Sequence, residues 1–174
     1  MKCLLCDINP AMREAWKEEL GRRPRLDALC SVVAGDITGL KADAAVSPAN
    51  SSGIMRGGVD GVYTRVFGTG VENRLQAIIR TLPGGELPVG EALLVPTGHT
   101  GIPWLISAPT MRSPSVLRSG DPVVRSARAA MRVALEQSFA SIAFPGMGTG
   151  TGRLPFDVAA KAMFDGMDEA LFSF

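Results

Sequence analysis

The chain has little of what most hydrolytic and metal centres need. It holds one histidine, His99, and three cysteines, Cys3, Cys6 and Cys30. A single imidazole in a Gly/Thr turn leaves no Ser/His/Asp nucleophile set. With so few thiols beside it, no zinc site is expected. An odd number of cysteines fits a reducing compartment better than a disulfide framework, so a cytoplasmic protein is expected. Cys3 and Cys6 form a C-x-x-C pair, but on a strand residues three apart face opposite sides. The net charge is only +1, which argues against charge-driven binding to nucleic acid or to an acidic membrane. No apolar run reaches the length of a bilayer span. The first residues, Met1 to Asp7, lack a secretory signal's long apolar stretch. The Gly-Lys-Ser/Thr ending of a Walker loop and an early Rossmann glycine fingerprint are also missing.

The 174 residues, 46% apolar and 20% charged, suit one soluble domain around one core. Residues 2–8 read as an apolar strand. Asn9-Pro10 then supplies a cap and first-turn pair for a helix to about Leu20, with Met12, Ala15 and Trp16 on one face. The basic run Arg22-Arg23-Pro24-Arg25 ends it. Strands are predicted at 29–34, 43–49, 92–96, 103–108 and 141–145. Helices are predicted at 59–67, 71–82, from Asp121, and from Pro155 toward the end of the chain. Several strands are apolar throughout and alternate with helices, which argues for a mostly parallel or mixed sheet covered by helices on both faces. Residues 110–120 form the longest irregular piece, of the kind that edges binding sites. Arg112 and Arg118 in it are within reach of an anion, while Arg125, Arg128 and Arg132 with Glu136 read as a solvated helix face.

Two loops carry the chemistry. Ser47-Pro48-Ala49-Asn50 leaves a strand and leads through Arg56-Gly57-Gly58-Val59-Asp60-Gly61 into a helix. Ser141 to Pro145 leads into Gly146-Met147-Gly148-Thr149-Gly150-Thr151-Gly152 and then another helix. Such strand–glycine–helix turns let backbone N–H groups approach a phosphate, and two of them can hold a diphosphate between them. The Asn50 amide both donates and accepts, which suits ribose hydroxyls, but it equally suits holding its own loop. Asp60 can position or activate a water near a sugar C1, or act as an ordinary acid in a helix's first turn. Asp36, in Gly35-Asp36-Ile37 after a strand, can accept from an adenine amino group; on its own it reads as a turn residue.

In combination these pieces resemble the macro domain family. Gly35-Asp36-Ile37, the strand ending at Asn50, Gly57-Gly58-Val59-Asp60-Gly61, Gly90-Glu91-Ala92 and Ser141 to Pro145 with its Gly/Thr loop stand in the family's order. The resemblance covers residues 32–170 and implies a three-layer α/β/α fold with a mixed central sheet of about six strands. Residues 1–31 are then an N-terminal strand–helix extension packed on a motif-bearing core at 32–170, all within one domain of 1–174. The implied ligand is ADP-ribose, in a cleft at the C-terminal edge of the sheet. By resemblance, Asp36 reads the adenine and Ile37 lies beside it. Asn50 contacts the distal ribose, Gly57, Gly58 and Val59 line the diphosphate and distal ribose, and Gly148, Thr149, Gly150, Thr151 and Gly152 cradle the diphosphate. Gly-Val-Asp-Gly ten residues after the Asn is similar to the MacroD-type hydrolase branch. That implies a hydrolase with Asp60 and Asn50 as catalytic residues, acting on mono-ADP-ribosyl protein, O-acetyl-ADP-ribose or ADP-ribose-1″-phosphate, with no cofactor and no metal. Nucleic acid enters only as a possible ADP-ribosylated substrate, and no membrane partner is implied.

The chain departs from the branch pattern at Ser47, where an Asn usually stands, and at Met55-Arg56, which replace part of a glycine run. It also lacks the aromatic that usually follows in the second loop, so an aromatic wall over the ribose is expected to be missing. These departures motivate the alternative of a non-catalytic ADP-ribose reader. An unrelated NAD or nucleotide enzyme of doubly wound type ranks last. The chain ends in a helix without the strand that often follows it, and the strand at 2–8 is expected to fill that place in the sheet.

Overall fold

The computed structural model describes residues 1–173. Its strands are β1 (Lys2–Asp7), β2 (Cys30–Ala34), β3 (Ala44–Ser47), β4 (Leu93–Pro96), β5 (Trp104–Ser107) and β6 (Ser141–Phe144). Its helices are α1 (Pro10–Leu20), α2 (Pro24–Asp27), α3 (Gly58–Phe67), α4 (Gly70–Ile79), α5 (Asp121–Glu136) and α6 (Phe156–Phe172). The strands form one six-stranded sheet in the order β2-β1-β6-β3-β5-β4. Every pairing is parallel except β4 with β5. The sheet is therefore mixed, with one antiparallel edge strand.

Alternation along the strands sorts the core into two layers. Cys3, Leu5, Val46 and Ile106 face α1, α5 and α6, joining Met12, Trp16, Met131 and Phe164. Cys6, Ala45, Leu105 and Val95 face α3 and α4, joining Tyr63, Val71 and Leu75. The two cysteines of the C-x-x-C pair thus lie on opposite faces and are both buried.

Element types follow the sequence closely, with ends shifted by a residue or two. β3 stops at Ser47 because Pro48 has no N–H for the ladder. α4 ends at Ile79, short of the predicted Leu82, and Pro83–Gly85 adds a separate 3₁₀ turn. The basic run after α1 opens α2, a single turn started by Pro24 that the sequence reading left out.

One correction concerns the first 31 residues. They are not packed onto the core from outside, because β1 lies inside the sheet between β2 and β6. Leu5 pairs with Val32 on one side and Phe144 on the other. An apolar strand buried on both faces gains most in the sheet interior, where both its ladder edges are also satisfied. β1 thereby carries its C-terminal residue, Asp7, to the sheet edge where β2, β3, β5 and β6 also end.

Candidate functional site

Five parallel strands end along one edge, and the loops that leave them line a cleft of about 930 Å³. That size is in the range of small-molecule sites, about 300–1,000 Å³. All twelve site residues singled out in the sequence lie near this edge, and each of them lines the cleft.

The lip after β6 is compact. Leu154 N–H donates to Gly148 O at 2.9 Å, Arg153 N–H to Gly150 O at 3.1 Å, and Leu117 N–H to Gly152 O at 2.8 Å. Gly152 is required by contact: a Cβ there would lie 2.5 Å from Gly148 O and 3.0 Å from the Leu117 side chain. Gly148 adopts φ +78°, which L side chains rarely adopt. Among the described residues, none of the N–H groups from Met147 to Gly152 donates to a protein acceptor. The loop thus presents a row of open donors to the cleft.

The lip after β3 is held by backbone bonds, Gly53 N–H to Asn50 O at 3.0 Å and Ser51 N–H to Met111 O at 3.0 Å, and by side chains. Glu72 on α4 accepts from Met55 N–H at 3.2 Å and from Gln76 Nε2 at 3.2 Å, and Gln76 donates also to Gly53 O at 3.4 Å. Asn50 holds its own loop: Oδ1 accepts from Ser52 N–H (3.1 Å) and Ile54 N–H (3.3 Å), and Nδ2 donates to Ile54 O (3.0 Å). Gly57 is the N-cap of α3 and supplies no side-chain cap, so the first N–H groups of that helix stay open as well. Arg56, at the cleft mouth, is 81% exposed and only 3.9 Å from Glu72.

Asp60 stands in the first turn of α3 but does not cap it. It is 7% exposed, and its Oδ1 accepts from Ser47 Oγ at 2.5 Å. Burial pushes the carboxyl from the ordinary 3.8 up to about 7, opposed by the Ser47 hydrogen bond and reinforced by the charge of Glu72. No protein donor reaches Oδ2 among the described residues. Tyr63, one turn on, donates to Val46 O at 2.9 Å and pins α3 to β3. A carboxyl that titrates near neutrality at a cleft wall can take a proton from water.

Asp36, also lining the cleft, caps the 3₁₀ turn Ile37–Gly39: its Oδ1 accepts from Thr38 N–H (2.9 Å) and Thr38 Oγ1 (2.7 Å). Ile37 is only 4% exposed and belongs to the core under α3 and α4 as well as to the cleft floor.

Four participants were not read as site residues from the sequence. Asp7 closes β1, accepts from Gly146 N–H at 3.1 Å and from Asn9 N–H at 2.8 Å, and so ties the N-terminal strand to the second lip. Its signal was an acid directly after an apolar strand. Ser47 holds Asp60, and Glu72 holds the first lip; neither has a local sequence mark. Phe156, the first residue of α6, lines the cleft. An aromatic thus reaches the cleft lining four residues beyond Gly152, while the loop itself carries none. No cluster of three metal-ligating side chains occurs among the described residues.

In a three-layer α/β/α domain of this kind, the crevice at the carboxyl ends of the parallel strands is where ligands sit. Residues 46–163 match the family described as Macro domain. An uncharacterized protein of Aquifex aeolicus is 40% identical over 134 residues, 77% of this chain and 78% of that protein. A macro domain-containing protein of Cupriavidus necator is 34% identical over 145 residues, 80% of each. The macrodomain of Trypanosoma brucei solved in complex with ADP-ribose superposes with a TM-score of 0.66 at 23% identity, covering 80% of this chain and 56% of that one. The chain belongs to the macro domain family.

Proposed function

We propose that the cleft binds ADP-ribose and that the protein hydrolyses ADP-ribosyl derivatives. The supporting observation is the pairing of two open-donor lips with one buried, near-neutral carboxyl in a single cleft. The N–H groups of Met147 to Gly152 and of the first turn of α3 suit the two phosphates, with the helix end adding its dipole. The ADP-ribose bound by the Trypanosoma brucei macrodomain supports the same ligand here. Asp36 and Ile37, which line the same cleft, suit the adenine.

In this reading the substrates are a mono-ADP-ribosylated protein, O-acetyl-ADP-ribose or ADP-ribose-1″-phosphate. Asp60 takes a proton from a water; the water oxygen either attacks the anomeric carbon, breaking its C–O bond and expelling the carboxylate or phosphate, or attacks the ester carbonyl, expelling the ribose oxygen, which takes up the proton from Asp60. The fixed loops hold the reacting groups in place. The odd cysteine count supports a reducing, cytoplasmic setting.

A second reading, a reader that binds ADP-ribose without chemistry, is favoured by Asn50. Its Oδ1 and one of its two Nδ2 protons are engaged by its own loop, which leaves a single N–H to offer a ribose. The deciding experiment is turnover of the three substrate types by the unmodified protein and by Asp60→Ala. The hydrolase reading expects turnover to fall by about 10²–10⁴-fold while ADP-ribose affinity stays level. Full turnover in Asp60→Ala removes Asp60 from the mechanism; tight binding with no turnover in the unmodified protein makes it a reader.

A further inference from the structure

The cleft is poor in positive charge for a site that suits phosphates. Three acids line it, Asp7, Asp36 and Asp60, and a fourth, Glu72, acts on Asp60 by its charge. Among the described residues, Arg56 is the one Lys, Arg or His in the lining. Asp7 and Asp36 already accept backbone N–H groups. The diphosphate has the open N–H groups of the two lips. Arg56 is a cation that neither role uses.

Its backbone is held and its head is loose. Glu72 accepts from Met55 N–H, and Thr64 Oγ1 lies 2.8 Å from Met55 O and 3.0 Å from Asp60 O. A methyl on Gly61 would lie 3.2 Å from Arg56 O, so the Arg56 backbone packs against the first turn of α3. Gly57, the next residue, is the N-cap of that helix, and Asp60 stands in its first turn. The Arg56 side chain therefore springs from beside Asp60. It is 81% exposed, and the one acid within 4 Å among the described residues is Glu72, 3.9 Å from Nε. That is beyond hydrogen-bond reach. The fork of its two terminal nitrogens keeps its donors for a ligand.

The three substrates of the hydrolase reading differ in what they bring to this place. The acyl substrates are uncharged at the linkage. A 1″-phosphate carries about −1.5 to −2 charge near neutral pH, set beside Glu72 and a partly ionised Asp60. It needs a cation there, because like charges at close range repel. When water attacks C1″, the C1″–O bond breaks and its electron pair leaves on the phosphate oxygen, while Asp60 takes the water's proton. The charge to be held thus grows during the reaction. A guanidinium offers parallel N–H groups matched to phosphate oxygens. We propose that Arg56 holds the phosphate on C1″ of the distal ribose and is the specificity residue that ranks ADP-ribose-1″-phosphate above the acyl substrates. The inference rests on the ADP-ribose reading of the cleft.

Its first test is binding. ADP-ribose and ADP-ribose-1″-phosphate are titrated by calorimetry into Asp60→Ala, which slows hydrolysis, and into the same protein carrying Arg56→Gln, Arg56→Lys or Arg56→Glu. With Arg56 in place, the 1″-phosphate is expected to bind about tenfold more tightly than ADP-ribose. Arg56→Gln removes that margin, Arg56→Lys keeps part of it, and Arg56→Glu reverses it. Affinity for ADP-ribose itself stays within about threefold, since an exposed charge contributes little at a distance. The margin shrinks at 1 M salt, where the Debye length is about 3 Å. No margin, or a margin that survives Arg56→Gln, overturns the inference. If ADP-ribose does not bind, the ADP-ribose reading falls and this inference falls with it.

The second test is turnover in the protein with Asp60 intact. Arg56→Gln is expected to lower kcat/KM on the 1″-phosphate by about tenfold or more and to leave O-acetyl-ADP-ribose within about threefold. An equal loss on both substrates overturns the specificity role. Absence of turnover on every substrate defeats the hydrolase reading, and the calorimetric margin still decides whether Arg56 holds the phosphate.

Discussion

The two lips of the cleft are braced differently. The lip after β6 is held mostly by backbone: two N–H to C=O bonds within it and one from Leu117 close it, Asp7 accepts from Gly146 N–H, and Gly148 and Gly152 stand where a side chain would collide. The lip after β3 adds side chains to its backbone bonds (Gly53 N–H to Asn50 O, Ser51 N–H to Met111 O): Glu72 and Gln76 reach it from α4, Asn50 ties it to itself, and Asp60 is anchored below by Ser47. A backbone-closed loop of glycines keeps its N–H groups open and fixed, which suits a constant group such as a diphosphate. A loop braced by titratable side chains can be tuned in charge, which suits chemistry. In the proposed reading both lips offer N–H groups to the diphosphate, and the first also carries the reactive carboxyl.

The largest effect that separates them comes from Asp60→Asn, read by stability rather than rate. The folded state holds this carboxyl near 7, well above the ordinary 3.8. The favourable contribution of the neutral form is full below about pH 4 and is lost as pH rises through 7. Replacing the acid with an amide is therefore expected to stabilise the fold by about 4 kcal/mol at pH 8, and by less than half that at pH 5. Denaturant unfolding at the two pH values checks this; an equal change at both would show that the group is not buried as described.

Gly152→Ala attacks the other lip. The new methyl meets Gly148 O and Leu117, and forcing an atom into a filled site costs roughly 1–3 kcal/mol. ADP-ribose affinity, measured by calorimetry, is expected to fall about tenfold to hundredfold. The Asp60 titration should not change. If Gly152→Ala moved that titration instead, the two lips would not be separable.

Glu72→Gln sharpens the contrast by a smaller amount. It keeps an acceptor for Met55 N–H but removes the negative charge that helps raise the Asp60 carboxyl. The acid limb of the pH–rate profile is expected to move to lower pH by a few tenths of a unit, with affinity unchanged; a shift to higher pH would contradict the assigned sign. The smallest effect is expected at Gly150, where a Cβ meets nothing within 4 Å. Gly150→Ala should leave affinity within about twofold of the unmodified protein, since open space carries no packing cost.

How far these lips were legible in the sequence follows the same division. Gly146 to Gly152 declared itself, because close backbone approach requires glycine and four in seven residues leave few other readings. Asp60 and Asn50 could be named but not given a state: whether an acid in a first turn faces solvent or the sheet depends on Ser47, thirteen residues earlier. Ser47 read only as a lost Asn. Glu72 was invisible, since an acid in a helix looks solvated until the loop it braces is folded beside it. The place of β1 was legible as an apolar strand, but not as an interior one, because strand order is a long-range property. Asp7 and its contact with Gly146 were hidden for the same reason.

The measurement that bears most directly on the cleft is a calorimetric titration of the purified protein with ADP-ribose, with AMP and NAD alongside. One site at micromolar affinity for ADP-ribose, weakened by Asp36→Ala, is the predicted result. Absence of ADP-ribose binding at millimolar concentration would contradict it, and would make the open N–H groups of both lips a feature of the fold alone.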